Sequence, residues 1–182
     1  MRDSIDSLTE DEGTLLSLIA RAQPITAYQI AKVYKESPVS NFGVSKGKIY
    51  PMVTRLRKAG LLSAKALGND RRGTELIWTT EKGLELLRDW LREIRPAHLL
   101  PEDPLRTRLQ SLSLLTREQR LQWVAELKMQ LLQKLADVEE YGRTVTSPYH
   151  DLVHDNAVRS IRSRMDWLDL LLNRIVNEAD ES

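Results

Sequence analysis

The basic side chains of this sequence offer its clearest chemistry, because most of them are concentrated in one segment. Residues 21–80 contain eleven lysines and arginines against three acidic residues, a net charge of +8. The whole chain carries only +1, so the rest of it sums to −7. This block predicts the binding of a polyanion, most commonly nucleic acid, and a merely solvated basic surface is the alternative. Its basic residues are Arg21, Lys32, Lys35, Lys46, Lys48, Arg55, Arg57, Lys58, Lys65, Arg71 and Arg72.

Few other side chains are arranged for chemistry. The chain has no cysteine and three histidines, which excludes disulfides and limits the ligands for a structural metal. His150 and His154 have metal-ligand spacing beside Asp151 and Asp155, but a polar first helical turn explains them better. No Ser-His-Asp order or glycine-rich phosphate loop is present. We therefore expect no enzyme activity, no metal and no cofactor.

The composition predicts a protein that folds in water. Apolar residues make up 41% of the chain and charged residues 29%, as in globular proteins. The first residues lack the basic-then-apolar order of a signal peptide, and no apolar run is long enough to cross a bilayer. The expected compartment is the cytoplasm.

Two short helices precede most of the basic residues. Each is predicted to begin with a capping box, in which two side chains satisfy each other's backbone N–H groups. The first box pairs Thr9 with Glu12, and the second pairs Thr26 with Gln29. Pro24 is expected to end the first helix.

A third helix is predicted to carry the densest group of basic residues. We expect it to begin at Ser45 as N-cap and to end at Gly60 in a left-handed cap. Pro51 lacks the N–H that the helix requires there, so a bend is expected near Gly47. Its inward residues are Ile49, Met52, Val53 and Leu56. Its outward basic residues are Lys46, Lys48, Arg55, Arg57 and Lys58.

After Gly60 the hydrophobic period changes from helical to extended. Residues 61–67 and 74–80 read as two strands, and residues 68–73 supply the glycine, Asn and Asp of a hairpin loop. Lys65, Arg71 and Arg72 make this hairpin basic. A fourth helix is predicted over residues 81–94.

Three helices followed by a basic hairpin is the order of a winged helix-turn-helix, whose third helix enters the major groove. Four segments resemble the PadR family of bacterial transcriptional regulators, and residues 45–51 are the most specific part. The four segments are residues 25–31 (ITAYQIA), 44–51 (VSKGKIYP), 56–62 (LRKAGLL) and 78–83 (WTTEKG).

The resemblance implies a cytoplasmic dimer that usually represses its genes and, in many members, releases DNA when a small ligand binds. By position, it puts Tyr28 at the start of the supporting helix, where Ala27 replaces the glycine of many relatives. Each assignment has an alternative. Tyr50 could pack against the third helix, and Lys46 and Lys48 could be solvated charges that do not contact DNA. The implied recognition-helix residues are Ser45, Lys46, Lys48, Tyr50 and Arg55.

Three prolines mark a predicted linker at residues 96–104. It separates a winged helix-turn-helix domain at residues 1–95 from a helical dimerisation domain at residues 105–182. In the second domain we expect helices over residues 105–115, 116–146 and 151–178, the long one opened by a capping box of Thr116 and Gln119.

The last helix carries an apolar stripe with spacings of three and four, typical of a helix that packs along another helix. The long helix has a similar face, and together the two faces favour a partner subunit over a self-contained bundle. The predicted dimer-interface residues are Val158, Ile161, Met165, Leu168, Leu172 and Ile175.

A small aromatic effector is a weaker prediction. Trp90, Trp123 and Trp167 could line an apolar pocket for such a ligand, and ordinary core packing explains them at least as well.

The sequence thus predicts a mainly α protein that binds double-stranded DNA as a homodimer. We expect a sequence-specific regulator, most simply a repressor at a near-palindromic operator. The alternative is a winged-helix module that binds protein without specific DNA binding. Salt dependence of affinity would separate the two, because phosphate contacts weaken steeply as salt rises.

Overall fold

The computed structural model describes residues 5–39, 46–67, 73–99 and 103–178. The chain divides into two compact units, Met1–Leu99 and Leu100–Ser182. As predicted, both are mainly helical, and one antiparallel hairpin lies in the first. None of the described helices has the length and apolar character needed to cross a membrane.

The N-terminal unit contains the predicted series of helices and strands. The third helix begins next to Ser45, which lies outside the described residues, so the predicted N-cap is not described. The hairpin strands are within one residue of the predicted ranges at each end. The elements are α1 (Glu10–Ala22), α2 (Ala27–Glu36), α3 (Lys46–Lys58), β1 (Leu62–Ala66), β2 (Glu75–Thr79), α4 (Glu81–Arg92) and the short α5 (Pro96–Leu99).

Both predicted capping boxes are confirmed. The Thr9 hydroxyl accepts the Glu12 N–H and the Glu12 carboxylate accepts the Thr9 N–H, so α1 begins with its orphan donors satisfied. Thr26 and Gln29 form the same reciprocal pair at α2. These local bonds explain why the helix starts could be read from the sequence.

One core holds the N-terminal unit together. Its fully buried members include Leu15, Leu16 and Ile19 from α1 and Ile30 from α2. The hairpin joins this core through Ile77, whose N–H and C=O bond to the backbone of Ile25. Within the hairpin, Ala64 faces Ile77 in an antiparallel register.

The C-terminal unit is built mainly from two long helices. Its elements are α6 (Pro104–Gln110), a 3₁₀ turn (Leu112–Leu114), α7 (Arg117–Thr144) and α8 (His150–Asn177). The third predicted capping box, of Thr116 and Gln119, is confirmed at the start of α7. Two details differ from expectation: residues 105–115 are split between α6 and the 3₁₀ turn, and α5 occupies part of the predicted linker. Pro96 and Pro104 each begin a helix, a position at which the missing N–H costs nothing.

The second core lies between α7 and α8. Val124 and Leu131 of α7 and Leu168 and Ile175 of α8 are buried in one cluster. Arg117 donates to the carbonyls of Ile175 and Val176 at 3.4 Å, which satisfies acceptors at the end of α8.

Candidate nucleic-acid interface

The two faces of α3 are sharply different. Ile49 and Leu56 are fully buried, so they fix the helix on the core of its unit. Lys48 lies on the exposed face, and Tyr50 is 50% exposed beside it. Lys46 is the first residue of the helix, and its side chain is outside the part of the chain that the structure describes. The exposed face therefore presents cationic and hydroxyl groups to solvent from a rigidly seated helix.

Pro51 lies inside α3 without ending it. The helix is continuous from Lys46 to Lys58. Because Pro51 has no N–H, the carbonyl of Gly47 loses its usual donor one turn back. The buried side chains on either side, Ile49 and Leu56, hold the helix across this position.

Arg55 points from the last turn of α3 towards α1. Its Nε lies 3.2 Å from Oε1 of Glu12. The Arg55 side chain is 61% exposed, whereas the Glu12 side chain is 3% exposed. The sequence predicted Arg55 as a DNA-binding residue, and the structure gives it a buried acidic partner that the basic pattern did not reveal.

The basic residues in and beside the β1–β2 hairpin, which forms the wing of the fold, have different surroundings. Arg57 bonds Glu75 of β2 at 2.6 Å, and both side chains are about half exposed. An exposed pair of this kind contributes at most about 1 kcal/mol, so it leaves the guanidinium largely available. Lys65 is exposed on β1. Arg71 and Arg72 lie outside the described residues.

The supporting helix α2 carries one exposed and one partly buried tyrosine. Tyr28, in its first turn, is 63% exposed. Tyr34, near its C-terminus, is packed against the core. Burial, opposed by the charge of Arg21, raises the pKa of Tyr34 to about 12. Of these two tyrosines, only Tyr28 therefore has the exposure that a DNA contact requires.

The six residues predicted for the dimer interface lie on the side of α8 that faces α7. Val158, Leu168 and Ile175 are at most 7% exposed. Ile161, Met165 and Leu172 are half-buried against the cluster that contains Leu168 and Ile175. The heptad spacing correctly predicts that α8 packs along another helix. In this structure that helix is α7 of the same chain. Spacing alone does not distinguish an intramolecular partner from a second subunit.

The three tryptophans line different places. Trp90 belongs to the N-terminal unit and borders a cavity of about 250 Å³ with Leu8 and Leu86. Trp123 borders a groove of about 310 Å³ in the C-terminal unit, near Arg108. Trp167 is half-buried in the core between α7 and α8.

The histidine pair at the start of α8 borders a third cavity. His150 and His154 line it together with Glu139 and Arg143. Among the described residues, no group of three or more histidine or acidic side chains has the arrangement of a metal site.

The fold and the exposed face of α3 define a winged helix-turn-helix protein. Residues 15–89 match the model of the Transcriptional regulator PadR-like family. The PadR resemblance seen in the sequence is thus confirmed over residues 15–89, which lie within the N-terminal unit.

Solved structures of the same fold are similar over most of the chain. Bacillus subtilis PadR in complex with operator DNA has a TM-score of 0.78 at 21% identity, over 92% of this chain and 99% of that one. Bacillus subtilis PadR in complex with p-coumaric acid has a TM-score of 0.73 at 22% identity, over 90% and 97%. The Vibrio cholerae virulence activator AphA has a TM-score of 0.68 at 17% identity, over 92% and 98%. The comparison with curated protein sequences gives no match.

Proposed function

We propose that this protein is a sequence-specific transcriptional regulator that binds operator DNA as a homodimer and acts at the chromosome in the cytoplasm. The observation that carries the proposal is α3, whose inner face is closed on the core while its outer face exposes Lys48 and Tyr50. A helix seated in this way holds its exposed side chains at fixed positions along one face, from which they can enter the major groove. The similar fold of Bacillus subtilis PadR, solved with operator DNA, supports this docking.

The DNA contacts are divided between base edges and phosphates. Residues at the start of a recognition helix reach base edges, so Ser45, Lys46 and Lys48 are proposed to read sequence. Tyr28 at the start of α2 and Tyr50 are proposed to bind phosphates through their hydroxyl groups. The basic residues of the hairpin, Lys65, Arg71 and Arg72, are proposed to contact the backbone beside the groove.

An exposed apolar stripe on α7 supports the homodimer. Ala125, Met129, Leu132 and Ala136 are all exposed, and they follow one another at spacings of four, three and four. Met129 is 65% exposed and Leu132 51%. A helix with the same heptad spacing can pack along this stripe of α7, so we propose a second copy of the chain as the partner. The half-buried edge of the α8 stripe, at Ile161, Met165 and Leu172, is proposed to extend the contact.

A two-fold dimer implies the form of the operator. Its two recognition helices would enter major grooves separated by about one helical turn, roughly 34 Å, or a multiple of it. The operator is therefore proposed to be near-palindromic. A dimer that covers this length of DNA excludes other proteins from it without further contacts, so repression is the proposed effect.

A small aromatic effector is proposed to release the DNA. Bacillus subtilis PadR has been solved with p-coumaric acid, which supports a ligand of this chemical class. The groove beside Trp123 combines an aromatic face with Arg108, which suits an aromatic carboxylate. The other two tryptophans predicted for the pocket, Trp90 and Trp167, do not line this groove. Titration with aromatic acids should change tryptophan fluorescence and lower operator affinity together.

The experiment that tests the proposed function is selection of duplexes from a random-sequence pool by the full-length protein. We expect enrichment of a near-palindromic sequence, with an affinity that falls as a power of the salt concentration. Recovery of unenriched sequences together with a flat salt response would refute DNA recognition and favour a protein-binding winged module.

A further inference from the structure

We propose that Glu12 of α1 is a positioning residue for DNA binding, which holds the inner edge of the Arg55 guanidinium so that its outer edge faces a DNA phosphate. The inference rests on the proposed DNA-binding function and adds to it a residue outside the basic segment. It explains why a carboxylate is buried beneath the recognition helix.

The two oxygens of Glu12 have separate surroundings. Oε2 accepts the backbone N–H and the hydroxyl of Thr9, both at 3.0 Å, and so completes the cap of α1. Oε1 is buried and accepts no hydrogen bond within the described part of the chain. Arg55 Nε lies 3.2 Å from this second oxygen. One oxygen therefore serves the helix cap, and the other serves Arg55 as a charge partner.

The capping role does not require a negative charge. The same box is completed by Gln29 at α2 and by Gln119 at α7, whose amide oxygens accept the N-cap N–H. A glutamine at position 12 would therefore satisfy Thr9 without the cost of burying a carboxylate. Burying that charge is costly unless a cation compensates for it. The charge of Glu12 is thus explained by Arg55 and not by the cap.

The planar shape of the guanidinium means that a contact at one edge influences the direction of the whole Arg55 head group. The guanidinium is a planar group with Nε on one edge and both Nη groups beyond it, so charge attraction that draws the Nε edge to Glu12 favours an arrangement in which the Nη edge faces away from α1. Arg55 remains 61% exposed despite its buried partner. It lies in the last turn of α3. Because the start of a recognition helix reads the bases, an outward arginine in the last turn is suited to a phosphate.

The test measures the binding of the full-length protein to a duplex that it selects from the random pool, over a range of salt concentrations. Glu12→Gln keeps the cap and removes the charge. We expect roughly tenfold weaker binding and a salt slope smaller by about 0.9, as for one lost phosphate contact. Arg55→Gln should give the same result, and the double variant should lose no more than Arg55→Gln alone.

Thr9→Val is the matched control, because it weakens the cap of α1 and leaves the Glu12 charge in place. It should lower thermal stability and keep the wild-type salt slope. If Glu12→Gln keeps the wild-type slope, or if the two single losses multiply in the double variant, the inference is overturned. If the wild-type protein shows no salt-dependent binding to any duplex, the proposed function fails, and the inference fails with it.

Arg55→Lys provides a second test if Glu12→Gln does not fold. Lysine keeps the charge but has a single ammonium, which Glu12 would retain. We therefore expect Arg55→Lys to lose about as much of the salt slope as Arg55→Gln. A wild-type slope in Arg55→Lys would show that Glu12 does not direct the side chain.

Discussion

Gly83, in the first turn of α4, lies directly against the backbone carbonyl of Leu61, so that a β-carbon at position 83 would overlap the carbonyl oxygen. The Thr80 N–H donates to the same carbonyl at 3.0 Å, and the Thr80 hydroxyl donates to the carbonyl of Gly60 at 2.7 Å. The start of α4 is therefore tied to the residues that join α3 to β1. This contact fixes where the recognition helix ends and the wing begins.

Gly83→Ala is expected to destabilise the N-terminal unit by more than about 2 kcal/mol, because backbone must move to admit the methyl group. Urea denaturation followed by circular dichroism measures the loss. Gly60→Ala is the control, since Gly60 has a φ of +77° but open space around it. Its cost should be only the strain of a left-handed alanine, about 1 kcal/mol. A smaller loss in Gly83→Ala than in Gly60→Ala would contradict the proposed close contact.

Lys48→Ala should weaken operator binding and reduce the salt slope, because Lys48 is an exposed cation near the start of α3. We expect a slope lower by about 0.9 if the side chain neutralises one phosphate, and a lost base preference if it reads sequence. Fluorescence anisotropy at several salt concentrations separates the two results. Lys134→Ala, exposed on α7, should bind as the wild type does. Equal behaviour of the two variants would exclude Lys48 from the interface.

Leu132→Glu should convert the proposed dimer into monomers, since it places a charge in the middle of the exposed stripe of α7. Sedimentation velocity at micromolar concentration measures the change. Leu152→Glu is the matched control, because Leu152 is a similarly exposed leucine, 61% exposed, on α8. It should leave the dimer intact. Dimers that survive Leu132→Glu would place the subunit contact elsewhere.

The raised pKa of Tyr34 predicts a late step in an alkaline titration. Its phenol should ionise near pH 12, whereas an ordinary tyrosine ionises near pH 10. Because the folded pKa is raised, the stability that the buried phenol contributes is complete below about pH 10 and is lost as pH rises towards 12. The measurement is the ultraviolet absorbance of phenolate. Tyr34→Phe should abolish the late step and Tyr28→Phe should keep it; a late step in Tyr34→Phe would assign it to another residue.

Local signals made the fold predictable from the sequence. The boxes at Thr9, Thr26 and Thr116 are bonds between residues three apart, so they are visible in the sequence and present in the structure. The hairpin was likewise predicted from the change of period after Gly60. Contacts between residues that are far apart in the sequence could not be predicted in this way.

The candidate site could be predicted only in part from the sequence. Lys48 was predicted from the outer face of a periodic helix and Tyr50 from the family resemblance, and both side chains are exposed. Glu12 was read only as a cap, because its contact with Arg55 joins residues far apart in the sequence. Similarly, the stripe through Leu168 and Ile175 predicted a helix contact but not that α7 of the same chain would supply it. Periodicity identifies a buried face, whereas the partner of that face depends on the tertiary fold.

The two hydrophobic clusters share no residue among the parts of the chain that the structure describes. Each unit thus keeps its own interior, and mutations that repack one interior need not be matched in the other. Such a chain can acquire a new operator preference on α3 while the long helices stay unchanged. Grafting residues 1–99 onto the helical half of a relative should accordingly yield a hybrid regulator that retains the DNA specificity of its donor.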